Sequence, residues 1–182
     1  MERVLVVDDE KDCRYALADA LSSKGFRPEI AVNGREALDV LARQPSTYGL
    51  VYSDMRMPEI GGLELVKNLA GLDPTIVTVL LTGQADSKST VEAMRAGAFD
   101  FLSKPFTMSE LEISLARATE RRRMLLNSET EKKILAARHK DEMHKMFVSS
   151  VRAHARSIEA KDAYTEHRPH SCGTQCKLRN VI

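Results

Sequence analysis

Neither sign of charge dominates this chain: 27 Lys and Arg stand against 26 Asp and Glu, a net charge of +1. Bulk attraction to nucleic acid is therefore not expected, which leaves only a local patch to provide it. No apolar run approaches the roughly 20 residues that a membrane span needs. No signal-peptide pattern precedes the first apolar run, so the chain is expected to enter a strand directly. Cysteine is scarce. There are three, with Cys13 alone near the N-terminus, too few for a disulfide framework. A reducing cytoplasm is the expected setting. Gly and Pro are missing altogether from Phe106 to Arg168, so nothing there interrupts a helix.

The rest of the chain has the ordinary balance of a globular protein, and its length suits one domain of about 120 residues plus something smaller. Short apolar runs alternate with helix-period segments up to about residue 122. Val4–Val7 is continuous rather than alternating, as expected of a strand covered on both faces. Further strands are expected at Arg27–Val32, Gly49–Ser53, Thr75–Leu81 and Ala98–Leu102. Between them, Cys13, Leu17, Ala20 and Leu21 share one helical face, with Gly25 as its C-cap. Cys13 reads as a small core residue rather than a reactive thiol. Asn33-Gly34 opens a second helix that Pro45 ends. Leu63, Val66 and Leu69 mark a third, and a fourth stops at Gly97. Five β–α units with connections this short predict an α/β fold, a doubly wound parallel sheet of flavodoxin-like order 2-1-3-4-5.

The chemistry lies at the carboxyl ends of those strands, which share one edge of a parallel sheet. Asp8 and Asp9 end one run, Asp54 another and Thr82 a third, while Lys104 follows a fourth. Carboxylates crowded in this way repel, and a divalent cation relieves the repulsion. Mg²⁺ suits one or two carboxylates, a carbonyl, waters and a phosphate oxygen. Lys104 and Thr82 are placed to hold something negative beside it, and a phosphoryl group fits. A carboxylate can itself be the nucleophile that forms an acyl phosphate, and Asp54, alone on its strand end, is the candidate.

Val7-Asp8-Asp9-Glu10, Tyr52-Ser53-Asp54-Met55-Arg56-Met57-Pro58, Leu80-Leu81-Thr82-Gly83 and Leu102-Ser103-Lys104-Pro105-Phe106 together resemble the receiver domain of two-component response regulators. The resemblance implies that Asp54 is the phosphoacceptor for a sensor histidine kinase or phosphotransfer protein, in a Mg²⁺-dependent phosphorelay. It implies Asp8, Asp9, Asp54 and the backbone carbonyl of Arg56 as the metal set, and Thr82, Lys104 and Phe101 as the switch residues. It also implies a cis bond before Pro105.

From about Thr107 the pattern becomes one long C-terminal helix, with Ser109 and Glu112 as a candidate capping box. Leu111, Leu115, Ala118, Leu125, Met143, Met146, Phe147 and Val151 form an intermittent apolar stripe. Such a helix is expected to build a homodimer as an imperfect coiled coil, the alternative being a solvated linker held by charge pairs. Arg121-Arg122-Arg123 reads as a charged helix face. His139 and His144, five apart, share no face and read as solvated. No recognition motif for DNA follows.

Ile158 to Thr165 resembles the opening of an HD-GYP phosphodiesterase domain. The resemblance then breaks. Arg168 stands where that family has His, and neither a His-Asp pair nor Gly-Tyr-Pro occurs, so a binuclear hydrolytic site is not expected. The chain is thus expected to be a signalling protein rather than an enzyme. The alternative is a regulator of a cyclic di-GMP phosphodiesterase whose catalytic domain is missing here. The expected organisation is a receiver over 1–122, a helical linker with an HD-GYP vestige over 123–165, and an irregular or disordered tail over 166–182. A frameshift or truncation would account for the departure, and His167, His170, Cys172 and Cys176 offer a zinc set as another reading.

Overall fold

The computed structural model describes residues 2–83 and 87–165, with side chains described for 2–83 and 91–152. The tail and its zinc reading lie outside the described residues. Strand β1 (Arg3–Val7) is followed by α1 (Lys11–Ser23), β2 (Arg27–Ala31), α2 (Gly34–Arg43) and β3 (Tyr48–Asp54). Then come α3 (Gly62–Leu72), β4 (Val77–Thr82), α4 (Ser87–Ala96), β5 (Asp100–Ser103) and α5 (Met108–Thr165). The five strands form one parallel sheet in the order β2-β1-β3-β4-β5. This is the expected flavodoxin-like receiver fold with a long C-terminal helix.

Period-two alternation sorts the strand side chains between two faces. Val4, Val6, Leu50, Tyr52, Val79 and Leu81 pack against Leu17 and Leu21 of α1 and Leu111, Leu115 and Ala118 of α5. Leu5, Val7 and Val51 point the other way, onto Ala37, Val40 and Leu41 of α2 and Leu65 and Leu69 of α3. Leu80 joins Val66 and Ala93 on that second face. Both faces are covered, so the strands read as unbroken apolar runs rather than alternating ones. The pairing also sets the strand ends level. Val7 lies beside Ser53, Asp54 beside Leu81 and Thr82 beside Ser103.

Helix ends follow local chemistry. Gly25, at φ +85°, closes α1, its N–H donating to the Ser22 carbonyl at 3.0 Å while that of Phe26 returns to Leu21 at 3.2 Å. Asn33 caps α2, accepting from the Glu36 N–H at 2.9 Å, while Glu36 accepts from the Val32 N–H at 2.8 Å.

Three expectations need correction. The capping box of α5 is Thr107 with Glu110, not Ser109 with Glu112. The Glu110 N–H donates to the Thr107 hydroxyl at 3.3 Å, and Glu110 accepts from the Thr107 N–H at 2.7 Å. Thr107 wins because Pro105 ends just upstream and the first free N–H groups fall within reach of its hydroxyl. Cys13 is only half-buried, donating to Glu10 at 3.1 Å, and the buried residue of that turn is Arg14. Finally, Arg122 is no part of a solvated face. It is 8% exposed, and reaches beneath the sheet to the carbonyls of Thr75 and Gly49, at 2.6 and 3.4 Å.

The chain divides into two compact units, the first ending at Glu131 and the second starting at Lys132. In the second, Ile134, Leu135, Met143, Met146, Phe147 and Val151 are all exposed. Among the described residues, no helix is long and apolar enough to cross a membrane.

Candidate functional site at the carboxyl edge of the sheet

The level strand ends deliver Asp8, Asp54, Thr82 and Lys104 to a single cleft of about 470 Å³, together with Asp9 and Arg56. Lys104 organises it. Its ammonium donates to Asp8 Oδ2 at 2.6 Å and to Asp54 Oδ1 at 2.5 Å, joining the carboxylates of two adjacent strands. Burial disfavours the lysine charge, but the hydrogen bonds to Asp54 and Asp8 outweigh it and hold the pKa above the usual lysine range. The Lys104 N–H also donates to the Thr82 carbonyl at 2.7 Å, and the Lys104-Pro105 bond is cis.

The carboxylates are not equivalent. Asp8 is 1% exposed, and its Oδ1 accepts from the Glu10 N–H at 2.9 Å. Asp9 is exposed at the rim. Asp54 lies between these extremes. Its side chain is partly open to the cleft, and Oδ2 accepts from the Arg56 N–H at 2.7 Å. That bond folds the loop after β3 back over Asp54 and brings the Arg56 peptide beside the carboxylates. Thr82 is buried at the last position of β4, one strand from Asp54.

Four carboxylates line the cleft, those of Asp8, Asp9, Glu10 and Asp54, against the side chains of Arg56 and Lys104, which leaves it net negative. Among the described residues, no three His, Cys, Asp or Glu side chains gather so that they could hold a metal ion by themselves. An open set of carboxylates and a carbonyl is nevertheless what Mg²⁺ uses, since it keeps several waters and takes its remaining oxygens from a phosphate. Asp8, Asp9, Asp54 and the Arg56 carbonyl therefore fit that cation in donor type. Phe101 is not part of this cleft. It stands outward on β5, 41% exposed.

Sequence reasoning missed two residues. Arg14 is 7% exposed, and donates to the Asp8 carbonyl at 2.5 Å, which steadies the turn carrying the acidic pair. Among the described residues, its buried Nε has no hydrogen-bond partner. Arg122 was legible in principle, because Leu111, Leu115, Ala118, Arg122 and Leu125 continue one four-three spacing. An arginine in an apolar stripe is the signal of a buried, paired charge.

Residues 4–116 match the response regulator receiver domain. The C4-dicarboxylate transport transcriptional regulatory protein DctD of Pseudomonas aeruginosa is 40% identical over 142 residues, covering 78% of this chain and 30% of that protein. The transcriptional regulatory protein FixJ of Rhizobium meliloti is 35% identical over 151 residues, covering 74% of this chain and 72% of that protein. The receiver domain of NtrX from Brucella abortus superposes with a TM-score of 0.60 at 32% identity, over 64% of this chain and 98% of that one.

Proposed function

Because the chain belongs to the response regulator receiver family, we propose that Asp54 is its phosphoacceptor, loaded by a sensor histidine kinase or a phosphotransfer protein. The observation that carries this reading is the Lys104 ammonium lying between Asp8 and Asp54 at 2.6 and 2.5 Å. A structural ion pair needs one carboxylate. Two carboxylates on one ammonium, open to a cleft, form a site with charge left to place.

In this reading an Asp54 carboxylate oxygen attacks phosphorus, the P–N bond to the donor histidine breaks, and the imidazole leaves with its electron pair. Lys104 moves from bridging two carboxylates to pairing with the transferred group. Asp8, Asp9 and the Arg56 carbonyl, with Asp54, would hold Mg²⁺. The bound ion supplies positive charge against the charge that develops on the phosphoryl oxygens. The Thr82 hydroxyl would turn to the new dianion, and Phe101 on β5 would change its exposure as the neighbouring strand end shifts. Asp54→Asn should abolish labelling by acetyl phosphate with Mg²⁺. Labelling at full stoichiometry in that variant overturns the assignment.

The output we propose is association through α5. The apolar side chains exposed between Ile134 and Val151 support a homodimeric coiled coil. The expected readout is a shift in sedimentation on adding beryllofluoride, and an unchanged monomer with and without it refutes this route. We read 1–122 as the receiver and 123–165 as the linker, with Ile158 to Thr165 as the start of an HD-GYP-like segment to which no hydrolytic activity is assigned. A kinase-loaded receiver of this type would work in the cytoplasm. DctD and FixJ are transcriptional regulators by name, but no DNA-binding role is proposed for this chain.

A further inference from the structure

The loop from Met55 to Gly61 carries the Arg56 peptide. Its near end is fastened to the sheet. The Met55 N–H donates to the Leu81 carbonyl at 2.9 Å, and the Gly62 N–H returns to the Met55 carbonyl at 3.2 Å. Its far end rests on a different element, the start of α2. There the Gly34 N–H donates to the Ile60 carbonyl at 3.0 Å, and the Asn33 amide donates to Glu59 Oε1 at 3.1 Å. The contact is close. A Cβ on Gly34 would lie 2.5 Å from the Ile60 carbonyl oxygen and 2.6 Å from its Cγ2. Within the far anchor Glu59 sits at φ +63°, a left-handed conformation that a side-chain-bearing residue adopts only when its surroundings hold it.

Asn33 has a double task. Its Oδ1 caps α2 and its Nδ2 holds Glu59, and these two partners also fix which end of the amide is which. From this geometry, and resting on the cation site proposed above, we infer that Asn33 is a positioning residue for that site. By pinning Glu59 it holds the loop, and with it the Arg56 carbonyl, in place beside Asp8, Asp9 and Asp54. The β2–α2 connection, which contributes no ligand, thereby sets cation affinity.

The two tasks can be separated. Asn33→Asp keeps a capping oxygen but turns a second carboxylate oxygen toward Glu59. Glu59→Gln restores a donor across that gap. Calorimetric titration with Mg²⁺ alone should show Asn33→Asp binding about three- to tenfold more weakly than the unaltered chain, with no change in thermal midpoint. Adding Glu59→Gln should return affinity to within about twofold. With acetyl phosphate as donor, Asn33→Asp should need more Mg²⁺ for half-maximal labelling yet reach the same plateau. Unchanged Mg²⁺ affinity in Asn33→Asp, or a double variant no better than the single one, overturns the inference while leaving the site intact. Asp9→Asn serves as the site control. If it binds Mg²⁺ as well as the unaltered chain does, the cation site itself is wrong, and this inference falls with it.

Discussion

Replacing Arg122 by Met separates a buried staple from its two exposed neighbours. Arg122 donates to the Thr75 carbonyl at 2.6 Å and less closely to the Gly49 carbonyl at 3.4 Å, and its Nε pairs with Glu2 at 3.2 Å. One short hydrogen bond from a charged donor is worth about 1.5–3 kcal/mol. The pair with the partly exposed Glu2 adds about 0–1 kcal/mol. Exchange for an apolar residue can be neutral when both partners go together, but here two backbone carbonyls lose their donor and stay in place. Met keeps most of the stem packing, so the expected loss is about 2–3.5 kcal/mol. With a urea slope of about 1.5–2 kcal/mol per molar, the unfolding midpoint should fall by about 1–2 M. Arg121→Ala and Arg123→Ala should leave the midpoint where it is, because Arg121 is exposed and, among the described residues, Arg123 pairs with Glu120 one turn away on the surface. Circular dichroism at matched protein concentration reads all three. The reasoning fails if Arg122→Met unfolds with the unaltered chain, or if either neighbour costs as much.

Two further outcomes follow from local geometry. Thr107→Ala should cost about 0.5–2 kcal/mol in urea unfolding through loss of the cap on α5, whereas Ser109→Ala should cost nothing; the reverse order would restore the Ser109 box. Burial pushes the Tyr52 phenol up to about 12, above an ordinary value of about 10, so the fold favours its protonated form. Its contribution is intact below pH 10 and is lost as pH rises toward 12. Tyr48 and Lys104, also shifted upward, act in the same direction. Tyr52→Phe should therefore lose stability less steeply than the unaltered chain between pH 10 and 12, and equal slopes would refute the role given to this phenol.

Local patterning made most of the sheet legible. Continuous runs such as Val4–Val7 and the segment around Leu50–Tyr52 mark strands covered on both faces, and short connections between them imply parallel pairing, for which five strands in about 120 residues suit the order β2-β1-β3-β4-β5. That order alone places Asp8, Asp54, Thr82 and Lys104 on one edge. Residues missed or misread depend on contacts distant in sequence. The apolar stripe around Arg122 signals burial, but nothing near it names the Thr75 and Gly49 carbonyls at the amino-terminal edge of the sheet as its partners, and its two arginine neighbours argue for solvent. Arg14 gives no signal of its burial because arginine counts as polar in a periodicity argument, while its buried bond goes to a carbonyl on the preceding strand end.

What the amino-acid sequence determined by itself, then, was the alternation of elements and the identity of the groups at the strand ends, because both rest on periodicity and turn chemistry within a few residues. How those groups divide their work was set by packing between elements. It seated one ammonium between two carboxylates, left Asp9 at the rim, turned Phe101 outward and rested the Met55–Gly61 loop on Asn33. Each of these depends on side chains brought together from different elements, and hydrogen bonds of a few ångströms are set by packing rather than by spacing along the chain.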